Sequence, residues 1–176
     1  MDWARQIHVK TPAEIEIMRA AGHINATVHA TVRELLKPGV TTADLNAAAE
    51  EVLRKHNAVS PFKNYPGPYP YPASITVCVN EELVHGIPTK KRKLQEGDIV
   101  SIDCGTIFEG FVADSAFSAG VGETSSAAKK LLDVTEGALV AGIDKMRPGN
   151  RTGDISAAIQ QYVESHGFYV TREYTG

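Results

Sequence analysis

The sequence predicts a mixed α/β fold of the α+β kind, in which a helix–sheet unit is duplicated. Three observations lead there. Apolar residues recur at helical spacing at both ends of the chain. Strand-like alternation fills the stretch between them. One helix-start pattern also returns at a fixed offset of 110 residues.

Taken in order, Thr11-Pro12-Ala13-Glu14 is a capping box with proline at the first helical position, so a helix starts there. Ile17, Ala20, Ala21, Ile24, Val28, Val32 and Leu35 keep its helical spacing until Lys37-Pro38-Gly39 ends the run. Thr41 or Thr42 caps a second helix, whose buried stripe is Leu45, Ala48, Ala49, Val52 and Leu53. Residues 60–73 hold five of the nine prolines, interleaved with Tyr65, Tyr69 and Tyr71. That composition predicts an ordered aromatic loop, because proline removes both backbone freedom and donors. Residues 74–79 alternate like a strand with one buried face. Residues 99–104 and 111–118 read as two more strands, joined by a tight turn around Phe108-Glu109-Gly110. A third helix is predicted from Thr124 or Ser125 to Met146.

A fourth helix exposes the repeat. Pro38-Gly39, Thr42, Asp44, Ala47-Ala48 and His56 match Pro148-Gly149, Thr152, Asp154, Ala157-Ala158 and His166, seven identities at an ungapped offset of 110. Leu45 against Ile155 and Leu53 against Val163 keep the apolar register. A helix stop, cap and stripe repeated in one register point to duplication; the alternative is a common local solution found twice.

Composition bounds the function. The 176 residues suffice for one domain with a hydrophobic core, and 43% hydrophobic with 22% charged residues is ordinary for a globular chain. A net charge of −3 gives no global pull toward nucleic acid or an anionic membrane. Lys90-Lys91-Arg92-Lys93 is the one dense basic run and reads as a solvated loop. Cys78 and Cys104 are expected as free buried thiols in a reducing compartment. The N-terminus Met1-Asp2-Trp3-Ala4-Arg5 is polar, without a signal-peptide pattern, and no apolar run reaches membrane-spanning length. The expected address is the cytoplasm.

The residues that carry chemistry lie among the strands. A turn centred between Phe108 and Glu109 would set Asp103 and Asp114 directly opposite on one face, with Cβ atoms roughly 5 Å apart. Facing carboxylates repel and raise one pKa unless a cation lies between them. A dinuclear metal site makes such a pair favourable; the plain alternative is one turn residue and one solvated residue. His85 precedes Gly86-Ile87-Pro88, a rigid turn from which an imidazole can donate to or accept from a substrate amide. His8, His23, His29, His56 and His166 lie on helix faces or near termini and are read as structural. Glu81 and Glu82 are read as solvated or structural.

The run Asn80-Glu81-Glu82-Leu83-Val84-His85-Gly86-Ile87-Pro88, with an Asp eighteen residues after the histidine and another eleven further on, resembles type I methionine aminopeptidase. The similarity extends from the helix at Thr11 to Arg172-Glu173-Tyr174-Thr175-Gly176. It implies the pita-bread fold, a duplicated αβ unit with an antiparallel sheet and helices on its outer face. Residues 1–176 would be a single incomplete catalytic domain, with residues 11–118 the first repeat and 124–176 the start of a second, unfinished one. The activity implied is removal of the initiator methionine from nascent polypeptides when the next residue is small. Nascent polypeptide N-termini would be the partner, with the ribosome a further candidate, and neither nucleic acid nor membrane.

By position, the resemblance implies that Asp103 ligates one of two divalent metal cations (Co, Mn, Fe or Zn) and that Asp114 bridges both. His85 would be catalytic and contact the substrate near the scissile amide. Tyr71 and Thr76 would line the methionine pocket. The family's remaining ligands, a histidine and a pair of glutamates, would fall beyond Gly176, so the chain as given is expected to be an incomplete enzyme. The aromatic loop is richer in proline than the family's, and Thr76 stands where cysteine is common. Alternatives are a non-catalytic peptide-binding module of the same fold and an Xaa-Pro aminopeptidase. An aspartic peptidase built on Ile102-Asp103-Cys104-Gly105-Thr106 is a third, which chelator sensitivity would separate.

Overall fold

The computed structural model describes residues 8–172; the polar N-terminal residues 1–5 and the family-like residues 173–176 lie outside them. Two capping boxes open the architecture. Helix α1 (Pro12–Glu34) begins where the Thr11 hydroxyl accepts from the Glu14 amide and the Glu14 carboxylate accepts from the Thr11 amide at 2.7 Å. Helix α2 (Thr42–Lys55) is capped by Thr41, with the Asp44 carboxylate returning the bond at 2.9 Å. Of the two adjacent threonines, Thr41 is the one with a carboxylate three residues on. Thr42 is buried instead and ties α2 to a loop, donating to the Thr89 carbonyl and accepting from the Thr89 amide.

Strands β1 (Ile75–Val79), β2 (Ile99–Phe108) and β3 (Phe111–Gly120) form an antiparallel sheet in the order β1-β2-β3. β2 and β3 run further than the sequence predicts, because only Glu109 and Gly110 make the turn and Phe108 still pairs with Phe111. Both turn residues have positive φ, 48° and 83°, as in the hairpin turns whose twist matches the strands. Gly110 takes that conformation freely, Glu109 against steric resistance.

One sheet face, with Ile75, Val77, Val100 and Ile102, packs on Ile24, Val28 and Val32 of α1 and on Leu45, Ala49 and Leu53 of α2. Burying each of the larger side chains contributes about 1.5–3 kcal/mol. Because side chains alternate along a strand, the opposite face carries Thr76, Asp103 and Asp114. All of β1 is buried rather than one face of it. Residues of the aromatic loop and of the turn at Gly86 cover its other side.

A second unit begins at Thr124. Its helix α3 (Ser126–Ile143) is capped by Ser125 and stops short of the predicted Met146. The amides of Lys145 and Met146 reach back only three residues, to Gly142 and Ile143, and Pro148 disfavours helical backbone at the residue before it.

The repeat is present in the backbone. Helices α2 and α4 (Thr152–Ser165) each have 14 residues at the predicted offset. Gly39 and Gly149 share φ values of 92° and 95°, and Asn57 and Gly167 are both left-handed after the helix ends. Leu53 and Val163 each accept from the amide five residues on, Ala58 at 2.9 Å and Phe168 at 3.2 Å. The copies differ at the cap, where Arg151 replaces Thr41 and offers no side-chain acceptor. Only the Asp154 half of the box survives, accepting from the Arg151 amide at 2.7 Å. Arg151→Thr is therefore expected to stabilise the protein by about 1 kcal/mol, and Thr41→Ala to destabilise it by about as much. Urea unfolding curves check both, and unmoved midpoints would contradict the assignment of the caps.

Candidate metal and substrate site

The hairpin turn is centred between Glu109 and Gly110, one residue later than the sequence reading placed it. Asp103 therefore faces Ala116, and Asp114 faces Gly105. The two carboxylates are diagonal neighbours on one face, not directly opposite, and they still reach each other through a side-chain hydrogen bond. Asp103 is half-buried and its carboxyl is pushed up to about 6. Burial is the largest cause, followed by the charge of Asp114 and the hydrogen bond with it; His85 and the Cys104 amide pull the other way. The folded chain thus holds a proton that the unfolded chain has released. Stability contributed by that proton is lost as pH rises from the ordinary carboxylate range through about 6.

His85 is held on a turn with several anchors. Asn80, at φ 58°, donates to the Asp98 carboxylate at 2.8 Å and accepts from the Ile99 amide at 2.9 Å, joining the end of β1 to the start of β2. The Glu82 carboxylate accepts from the Val79 amide at 2.8 Å, while Glu81 is exposed. His85 itself is left-handed, at φ 59°. Gly86 lies so close to β1 that an added Cβ would collide with the Val77 carbonyl.

Tyr71, Thr76, His85 and Asp103 line one cleft of about 620 Å³. Thr76 pairs with Asp103 across the sheet, which sets both on the cleft floor. Phe62, Tyr65, Tyr69 and Ile87 supply apolar wall. Asp114 lies beside Asp103 but outside the lining. Phe62 and Ile87 were not singled out from the sequence, although both sit inside segments that were.

A polar cluster built on the buried Asn25 stands behind the carboxylates and was missed as well. Ser115, next to Asp114, donates to Asn25 at 2.6 Å, and Asn25 donates to the Cys104 carbonyl at 2.6 Å. The His29 ring bonds to Ser115 at 3.0 Å, and burial lowers its pKa. These contacts pin β3 to α1. The available signal was a polar residue, Asn25, beside Ile24 in an apolar helical stripe. Cys78 and Cys104 are free and buried, and burial pushes the Cys104 thiol up to about 12.

The donor chemistry suits a divalent cation. Two carboxylates share one face, and their mutual repulsion is what a cation would relieve. Among the described residues, no group of three or more His, Cys, Asp or Glu side chains converges on one point.

The chain belongs to the metallopeptidase family M24, which it matches over residues 16–176. Within that family the likeness is to methionine aminopeptidases. The methionine aminopeptidase of Clostridium acetobutylicum is 48% identical over 170 residues, covering 97% of this chain and 67% of the relative. The crystal structure of methionine aminopeptidase from Thermotoga maritima superposes with a TM-score of 0.92 at 42% identity, over 97% of this chain and 67% of that one. The chain thus spans about two thirds of the length of these relatives and has the pita-bread architecture of the matched part. The Xaa-Pro dipeptidase from Bacillus anthracis shares the fold alone, with a TM-score of 0.76 at 22% identity over 90% of this chain and 42% of its own.

In metal-stripped protein, carboxyl-resolved NMR is expected to show Asp103 titrating at about 6. Asp114→Asn, which removes the like charge, is expected to lower that value. An Asp103 that titrates in the ordinary carboxylate range would contradict the described pairing.

Proposed function

We propose that the protein is a metal-dependent methionine aminopeptidase, removing the initiator methionine from nascent polypeptides when the next residue is small. The observation that carries this reading is the gathering of Tyr71, Thr76, His85 and Asp103 on one cleft, with Asp114 beside Asp103. In this reading residues 11–118 form the first αβ repeat and residues 124–176 begin the second. Nascent N-termini are the partner, the ribosome is the place where they are met, and the cytoplasm is the compartment.

Asp103 and Asp114 would hold the cations, two of Co, Mn, Fe or Zn, as part of a larger ligand set. When bound, the cations supply Lewis acidity toward the scissile carbonyl. The chain's own residues do the rest. The aromatic and aliphatic wall of the cleft takes the apolar, unbranched methionine side chain and excludes water around it. Thr76, on the floor, limits the depth available. His85 presents its imidazole to the scissile amide from a turn that cannot relax easily, so orientation is set before substrate arrives.

This chain spans about two thirds of its relatives' length and is expected to be an incomplete enzyme. The test is therefore cleavage of Met-Ala-Ser and Met-Leu-Ser peptides by the protein extended to the relatives' full length and loaded with each metal in turn. Release of methionine from the first peptide, little from the second, and loss of activity with chelator are expected. His85→Ala is expected to lower kcat by about 10²-fold or more. No cleavage with any of the four metals, or cleavage indifferent to chelator, would sink the proposal.

A further inference from the structure

Tyr71 contributes to the cleft wall, yet its hydroxyl is engaged with the main chain. It lies 2.9 Å from the Gly86 carbonyl and 3.2 Å from the Ile75 carbonyl, and donates its single proton between them. Burial raises its pKa well above the usual phenol value, so the donor stays protonated. The Gly86 carbonyl it meets belongs to the residue directly after His85.

That peptide is the pivot of the His85 turn. A left-handed histidine is uncommon, and one persists where its surroundings determine it. The surroundings are visible. The Gly86 amide donates to Cys78 Sγ at 3.3 Å, and the Gly86 carbonyl accepts from the Val77 amide at 2.9 Å. Both anchors come from β1, on one side. Tyr71 adds a further contact, and reaches the turn from the aromatic loop. The same loop is braced internally, with the Asn64 amide donating to the Tyr71 carbonyl at 2.8 Å and the Tyr71 amide to the Tyr65 carbonyl at 3.0 Å. The latch therefore joins the aromatic loop to the His85 turn, 15 residues further along the chain.

We propose that Tyr71 is a positioning residue for His85: its hydroxyl latches the Gly86 carbonyl, and only its ring meets the substrate. This deepens the aminopeptidase reading and rests on it for the role of His85. A hydroxyl occupied by the backbone has no proton to offer a substrate, so its removal acts on the turn and not on binding.

Tyr71→Phe keeps the ring and deletes the latch. In protein labelled with ¹³C-histidine, the His85 ring resonance, assigned through His85→Gln, is expected to shift or broaden in Tyr71→Phe. Resonances of His8, His23, His29, His56 and His166 are expected to stay in place. In metal-loaded protein, kcat is expected to fall about three- to tenfold, the size of one net hydrogen bond, with KM nearly unchanged. An unmoved His85 resonance in folded Tyr71→Phe would overturn the proposal, as would a raised KM at unchanged kcat, the mark of a direct substrate contact. Inactive unsubstituted protein would count against the aminopeptidase reading alone, and the resonance comparison would still decide the latch.

Discussion

The register between β2 and β3 is the constraint on which the site depends. Side chains alternate between faces with a period of two, so the number of residues in the connecting turn decides whether Asp103 and Asp114 meet. With Glu109 and Gly110 alone in the turn, both fall on the face away from the core. One more residue there would send Asp114 into the layer occupied by Val100 and Ile102, against α1. The Asn25–Ser115–His29 cluster holds the same register from behind, since Ser115 is bound to α1 on the face opposite Asp114. Backbone geometry and these polar contacts thus agree on one alignment.

That alignment builds electrostatic tension into the fold. Two carboxyls share a hydrogen bond on a partly buried surface, and one of them holds its proton to about pH 6. A packed sheet gains nothing from such a pair on its own, and the arrangement makes sense where a cation supplies the missing charge. The aromatic loop and the His85 turn close over the same face and give the tension a cleft in which to act. The two sides of one sheet are divided: the apolar face builds the core, and the polar face gathers the candidate site residues.

Much of this was legible in the sequence. The capping box at Thr11, the apolar stripes and the repeat from Pro38 to His56 are local patterns, and local patterns survive without knowledge of the partner surface. The motif around His85 and the spacing to Asp103 and Asp114 sufficed to name the family. What was not legible depends on geometry at longer range. A glutamate with positive φ at 109 is a poor guess from composition, so the turn was centred one residue early. Thr41 and Thr42 differ only in what stands three residues on. Asn25 is a polar residue in an apolar stripe, and its partners lie about 80 and 90 residues away in the chain.

Cation binding between Asp103 and Asp114 is tested most directly by a calorimetric titration of Co²⁺ or Mn²⁺ into metal-stripped protein. Cation binding is expected to be lost in Asp103→Asn and in Asp114→Asn alike, with proton release that grows as pH falls through about 6. Cation binding of undiminished affinity in either variant would show that the paired carboxylates are not the metal ligands.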